Sequence, residues 1–268
     1  MPLAVCATPI GNLDDVTLRV LEEIRNADVV LCEDTRHTRV LLDRHGIEAR
    51  LLSYHEHNEA KRTAEVLPRL EAGERVVLVS DAGLPAISDP GARLISAALE
   101  AGIPVSVLPG ASAVETALVA SGFPADRYQF VGFLPRSPAA LAGLWRELAQ
   151  WRHTLVAFES PNRLAKTLAS LGEALPERPV AVCRELTKRF EEVVRGPAAE
   201  VAERFAEGAK GEITLVIGPS SVAGDVDEEA ALDAVATLVR GGTSRKAAAE
   251  VVSRLTGASR KRLYDASL

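Results

Sequence analysis

The chain has 268 residues, 47% of them hydrophobic and 25% charged, with a formal net charge of −6. Such a chain can bury ordinary cores in about two domains and is not disordered, and its negative balance excludes a protein that coats nucleic acid indiscriminately, because affinity for phosphate comes largely from Lys and Arg. The charge is uneven: from Arg240 onward seven bases (Arg240, Arg245, Lys246, Arg254, Arg260, Lys261, Arg262) face only Glu250 and Asp265, leaving +5 there and −11 before it, so an acidic body carries a basic end suited to a local anionic partner.

In chain order, short β-branched runs at 3–7, 29–32, 75–79 and 104–108 each lead into a Gly, Asp or Ser cluster and then a helical pattern. Apolar residues at three- and four-residue spacing predict helices at 16–26, 36–45, 58–72, 91–101 and 111–121. Asp15 is the expected cap of the first, and Gly46, Gly73, Gly102 and Gly122 end the others. This rhythm means a mostly parallel sheet covered by helices. Near Gly122-Phe123-Pro124 it breaks, and a second α/β set follows, with strands at 128–131, 153–158, 179–183, 191–194 and 212–217. Its helices are expected at 137–150, 161–174 and 197–205, with Pro138, Pro161 and Pro197 where helix starts tolerate proline. Residues 219–224 resemble a linker, and 228–240, 244–255 and 259–266 read as three further helices. The expected division is an α/β domain over 1–121, a second over 122–219 and a basic helical module over 228–268.

No stretch reaches the roughly 18 uninterrupted apolar residues of a membrane span. The start Met1-Pro2-Leu3-Ala4-Val5-Cys6 lacks the basic region and cleavage site of a signal peptide, so a cytoplasmic location without membrane contact is expected. Cys6, Cys32 and Cys183 each close a buried-strand run and have neither disulfide nor zinc spacing, so they read as core.

Three loops carry the chemical signal. Ala7-Thr8-Pro9-Ile10-Gly11-Asn12-Leu13 leaves the first strand with a glycine where backbone must approach something closely, as a turn or as a ligand loop. It is not a GxGxxG fingerprint. Val79-Ser80-Asp81-Ala82-Gly83-Leu84-Pro85-Ala86-Ile87-Ser88-Asp89-Pro90-Gly91 is a long polar loop after a buried strand, a feature compact domains seldom keep without using it. Asp81 reads as functional, while Asp89 reads either as the N-cap of the next helix or as a catalytic group. Pro109-Gly110-Ala111-Ser112-Ala113 ends at the same sheet edge, where small residues let a flat adenosine lie against backbone.

These stretches, with Cys32-Glu33-Asp34-Thr35-Arg36, Ser53-Tyr54-His55-Glu56-His57-Asn58-Glu59, Gly132-Phe133-Leu134-Pro135-Arg136, Glu159-Ser160-Pro161-Asn162-Arg163, Cys183-Arg184-Glu185-Leu186-Thr187-Lys188 and Lys210-Gly211-Glu212-Ile213-Thr214, closely resemble the bacterial 16S rRNA cytidine 2′-O-methyltransferases of the tetrapyrrole-methylase superfamily. The resemblance spans about residues 3 to 218 and continues more weakly to the end. It implies two α/β domains with S-adenosylmethionine in the cleft between them, a homodimer, and small-subunit ribosomal RNA or the 30S subunit as partner. The cofactor contacts it implies are Ile10, Gly11, Asp81, Leu84, Ser112 and Ala113, with Arg184 and Glu185 closing the site from the second domain. Ser80-Asp81-Ala82-Gly83 stands where the wider superfamily carries Gly-Asp-Pro, a departure that argues against a porphyrin-type substrate.

Ribose methylation is an in-line displacement in which positioning carries most of the burden. A carboxylate or histidine must still take the 2′-hydroxyl proton. His55 and Glu56 are the first candidates, Asp34 and Glu159 the next, and Asp89 stays open. Zinc at His55-Glu56-His57 is disfavoured, because histidines two apart face opposite sides of a strand and diverge by about 200° on a helix. Arg36, Arg136, Arg163 and Lys188 are candidate phosphate contacts; Arg136 and Arg163 read equally as cations solvating helix ends. In the tail, Arg245 and Lys246 follow a cap at Ser244, and Arg260, Lys261 and Arg262 follow one at Ser259. Cations there oppose the helix dipole and are better explained by nearby phosphate, although they also serve solubility. Two competitors remain: a tetrapyrrole C-methyltransferase, against which the 4% aromatic content speaks, and a non-catalytic RNA- or nucleotide-binding module.

Overall fold

A computed structural model describes residues 2–220, 228–256 and 258–267. The first sheet holds β1 (Leu3–Cys6), β2 (Val29–Cys32), β3 (Leu51–Ser53), β4 (Val76–Val79) and β5 (Val105–Leu108) in the order β3-β2-β4-β1-β5. Every pairing in it is parallel. Its central strands are buried on both faces, as the unbroken apolar runs require. Leu3, Val5, Val29, Leu31, Val76 and Leu78 pack to one side with residues of α3 (Glu59–Glu71) and α4 (Ala92–Glu100). Ala4, Cys6, Val30, Cys32, Val77 and Val79 pack to the other with α1 (Leu18–Arg25) and α2 (Thr35–Arg44). The period of two thus sorts one set of strands into two cores. Cys6, Cys32 and Cys183 are buried and free, and burial pushes the Cys6 thiol up to about 12.

Gly46, Gly73, Gly102 and Gly122 stand at the ends of α2, α3, α4 and α5 (Ala113–Ser121) with φ between 60° and 87°, the left-handed geometry that ends a helix. The cap of α1 is Thr17, whose hydroxyl accepts from Val20 N, and not Asp15, which lies in a separate turn of 3-10 helix over Leu13–Asp15. The strand β3 escaped the sequence pattern because it is a three-residue, half-buried edge.

The second sheet holds β6 (Tyr128–Phe133), β7 (Thr154–Glu159), β8 (Pro179–Arg184), β9 (Glu192–Pro197) and β10 (Ile213–Ile217) in the order β6-β7-β10-β8-β9. Only β6 and β7 run parallel; the other pairings are antiparallel, so this half departs from the parallel rule of the first. Val114, Ala117 and Leu118 of α5 pack on Val156, Ala181, Cys183 and Val216 of this sheet. Residues 1–147 and 152–219 accordingly form one compact unit. Around the sheet lie α6 (Pro138–Ala149), α7 (Pro161–Ala174) and α8 (Ala198–Arg204).

Residues 148–151 and 220–268 form the second unit, with α9 (Glu228–Arg240), α10 (Arg245–Thr256) and α11 (Arg260–Ala266). Its small core of Ala231, Val235, Ala248, Ala249, Val252, Ala258 and Leu263 lets the helices approach closely. The expected caps are present: Ser244 accepts from Ala247 N and Ser259 from Arg262 N. Most of the expected linker, from residue 221 on, lies outside the described residues. No helix among them is long and apolar enough to cross a membrane.

Candidate active site

The connection after β1 leads toward β2, and that after β4 leads past β1 to β5, so neighbouring strands send their chains in opposite directions. A crevice opens where that happens, at the carboxyl ends of the strands. The two loops are stitched together there by paired backbone bonds, Thr8 N to Gly83 O at 2.8 Å and Gly83 N to Thr8 O at 3.1 Å. The Thr8 hydroxyl adds a bond to Ser80 O.

Over this crevice lies a cleft of about 700 Å³, within the range of small-molecule sites. One wall comes from the first sheet: Ile10 after β1, residues 81–84 and 87–89 after β4, and 109–115 after β5. The facing wall comes from the second: Tyr128, Phe130 and Phe133 of β6, residues 158–161 at the end of β7, and 211–214 leading into β10. Small residues make the first wall low. A Cβ on Gly83 would lie 3.7 Å from both Ala111 O and Ile10 Cγ2, filling the floor that those atoms line.

Of the cofactor contacts expected, Ile10, Asp81, Leu84, Ser112 and Ala113 line the cleft. Asp81 also accepts a bond from Asp34 N, tying the β2 loop to the β4 loop. Ser112 donates to Glu115, which also accepts from Tyr128 at 3.0 Å. Gly11, Arg184 and Glu185 are outside the lining. The close approach that Gly11 serves is to another part of the chain: a Cβ there would meet Lys188 Cγ at 2.5 Å, Thr187 Oγ1 at 2.7 Å and Leu186 O at 2.9 Å. Asn12 N donates to Thr187 Oγ1, completing the clasp. Arg184 is paired with Glu192, and Glu185 with Lys188. Glu185 and Thr187 hold φ of 52° and 64°, a strained turn that shapes the clasp.

The candidate bases separate by surroundings. Asp34 caps α2 and is gripped by Arg36 through two side-chain bonds, which hold its carboxyl below the usual range. His55 and Glu56 are outside the cleft lining. The His55 ring meets Asn58 at 3.0 Å, and among the described residues its Nδ1 is buried without a partner. Glu159 reaches the lining, but its side chain has no exposed surface and both oxygens are taken: one by Ser160 N, the other by Arg163 and Thr167.

Asp89 lines the cleft and does not cap α4. That task falls to Glu59, whose Oε1 accepts from Gly91 N at 3.1 Å and Arg93 N at 3.4 Å. Asp89 makes no hydrogen bond among the described residues. Burial, then the charges of Glu33 and Asp81, push its carboxyl up to about 7. Glu33, a candidate from the same polar segment as Asp34, is also pushed up, chiefly by burial and then by Asp81.

Among the expected phosphate contacts, Arg163 is committed to Glu159 and to the carbonyls of Leu134 and Pro135. Lys188 is committed to Glu185 and Glu212. Arg36 is exposed but paired with Asp34. Arg136, Arg245, Lys246, Arg260, Lys261 and Arg262 are exposed. Low overall aromatic content proves a poor guide here. Of six Phe, three Tyr and two Trp in the chain, Tyr128, Phe130, Phe133 and Phe158 stand in this one cleft.

Residues 2–202 match the family of Tetrapyrrole (Corrin/Porphyrin) Methylases. The chain is 43% identical to the ribosomal RNA small subunit methyltransferase I of Mesorhizobium japonicum over 98% of its own length and 90% of that protein's. It is 44% identical to the protein of the same name from Mycobacterium tuberculosis, over 99% and 94%. The namesake from Thermotoga maritima is 44% identical over 80% of this chain and 97% of its own. Among solved structures, a Thermus thermophilus uroporphyrin-III C-methyltransferase complexed with S-adenyl homocysteine superposes with a TM-score of 0.57 at 22% identity, covering 81% of this chain and 96% of that one. Diphthine synthase gives 0.62 at 16%, covering 81% and 89%. At such identities these two likenesses concern the fold alone.

Proposed function

The chain belongs to the tetrapyrrole methylase family and, within it, to the ribosomal RNA small subunit methyltransferase I group; from that premise we propose that it methylates a cytidine ribose 2′-hydroxyl of small-subunit ribosomal RNA. The observation that carries the reading is Asp89: a carboxylate free of hydrogen bonds among the described residues, lining a cleft whose opposite wall carries Tyr128, Phe130, Phe133 and Phe158. S-adenosylmethionine, when bound, supplies a methyl group on a positively charged sulfur. Ile10, Gly83, Leu84 and residues 111–113 would hold it, because their small or apolar surfaces leave room for adenosine and methionine while Asp81 remains as a polar anchor. Asp89 would take the proton of the ribose hydroxyl. A base with a pKa near the working pH is well matched to that task.

The test is incubation of the protein with labelled S-adenosylmethionine and 30S subunits that lack the modification, followed by mapping of the label. Label on a cytidine ribose is expected; label on carbon, or none, refutes the reading. The exposed cations of α10 and α11 add electrostatic hold on the RNA. Replacing Lys246, Arg260 and Lys261 together by Glu is expected to leave cofactor affinity unchanged and to make the salt dependence of RNA binding shallower by about 2 to 3 in log–log slope. An unaltered slope would reduce the tail to a solubility device. The same reading assigns the enzyme to the cytoplasm, as a homodimer. Exposed Val107 on β5 and Val119 on α5 are apolar groups that a second copy would cover.

A further inference from the structure

In a regular strand, residues three apart point to opposite faces. Phe130 and Phe133 do not. The ladder between β6 and β7 pairs Phe130 with Val156 and Phe133 with Phe158, so three steps along β6 match two along β7. The extra residue is a β-bulge at Gly132, whose φ of 68° a side-chain-bearing residue adopts only under strain. The result is that both rings turn toward Phe158. Phe130 lies 4.9 Å from it and Phe133 5.6 Å, centroid to centroid, each edge-on at 66° and 63°.

Packing does not explain the arrangement, for Phe133 remains 59% exposed. A bulge also blunts the edge of a sheet, and β6 is an edge strand. That purpose is met by a charged residue at least as well as by a bare aromatic ring. What the bulge adds is position. Phe133 lines the cleft, and the bulge meets the loop that carries the base: a Cβ on Gly132 would lie 3.6 Å from the hydroxyl of Ser88, next in sequence to Asp89. Ser88 itself holds a left-handed φ of 62°, and Ile87, 47% exposed, flanks the same opening. A bulge that only glycine makes without strain and a strained serine therefore meet at the mouth of a cleft lined by both an exposed aromatic face and a carboxylate.

We infer that Phe133, backed by Phe158, is a stacking platform for the base of the nucleotide whose ribose is methylated. The inference rests on the function proposed above and adds how the acceptor is held. A ribose hydroxyl enters a cleft only when its nucleotide is splayed out of the RNA, and an unstacked base then needs a replacement for the neighbours it has lost. Aromatic rings supply this to any base, so the platform positions the sugar while leaving the choice of base to other groups.

The experiment uses the full chain as wild type, Phe133→Ala and Phe133→Tyr. It measures S-adenosylhomocysteine affinity by calorimetry, thermal midpoint, and steady-state methylation of unmodified 30S subunits. Phe133→Ala is expected to keep the midpoint and the cofactor affinity and to lose roughly 10- to 100-fold in kcat/KM, the range that removing one base–aromatic stack gives. Phe133→Tyr should recover most of that loss. An Ala variant with undiminished kcat/KM overturns the platform while the proposed function stands. So does a loss that tracks a weaker cofactor affinity, or one that Tyr does not restore. A wild type that labels no RNA takes both readings down, and is recognised before any variant is made.

Discussion

Asp89→Asn is expected to slow methyl transfer by roughly 10²- to 10⁴-fold, the range that general bases contribute, while S-adenosylhomocysteine still binds. The amide keeps the shape of the carboxyl and cannot take the proton. The pH dependence carries its own sign. The base works ionised, so with its carboxyl raised to about 7 the wild-type rate should fall about tenfold per unit below that pH and level off above it. The variant should lack this limb. Stability should move the opposite way. A carboxyl raised from 3.8 to about 7 binds its proton more tightly in the folded chain, so its contribution is present at low pH and lost as pH rises through 7. Asn is never charged, and above pH 7 the variant's thermal midpoint should equal or exceed that of the wild type. Single-turnover methylation across pH 5.5 to 9 with melting curves at matched pH separates the two effects (roughly the window of the titration). Full activity in Asp89→Asn would return the search for the base to Glu33 and His55.

Glu159→Ala should fail differently, by unfolding the protein more easily. Its carboxylate is wholly buried and holds Arg163 at 3.0 Å, while Arg163 in turn holds the Leu134 and Pro135 carbonyls. Removing one partner of such a pair leaves a desolvated charge behind, at a cost on the order of 3–5 kcal/mol. Urea denaturation should show the lower midpoint, and activity per folded molecule should fall far less than in Asp89→Asn. A Glu159→Ala protein of undiminished stability and no activity would instead give this carboxylate a chemical role.

The first sheet was legible because its central strands are buried on both faces, where even Cys6 and Cys32 keep the apolar run unbroken. The glycines after α2 to α5 were legible because a left-handed residue is needed at a helix end whatever packs nearby. The site was legible as three loops but not as roles. Asp89 precedes a helix and looks like its cap; the group that accepts the helix's first N–H bonds, Glu59, lies 30 residues earlier and reaches them only through tertiary packing. Glu159 and Arg163 look like exposed polar chemistry in a motif, yet they satisfy each other in the interior. Gly132-Phe133 was visible as a motif, but the bulge exists only in the register between two strands.

The clasp of Gly11 against residues 186–188 joins the two sheets at one corner. Because the chain on one side has no side chain and that on the other sits within touching distance, the two sheets are pinned at that point, and widening there would break the Asn12–Thr187 bond. Separating the sheets at this corner would cost that bond and the contacts of Gly11, so any side chain at position 11 would have to force them apart.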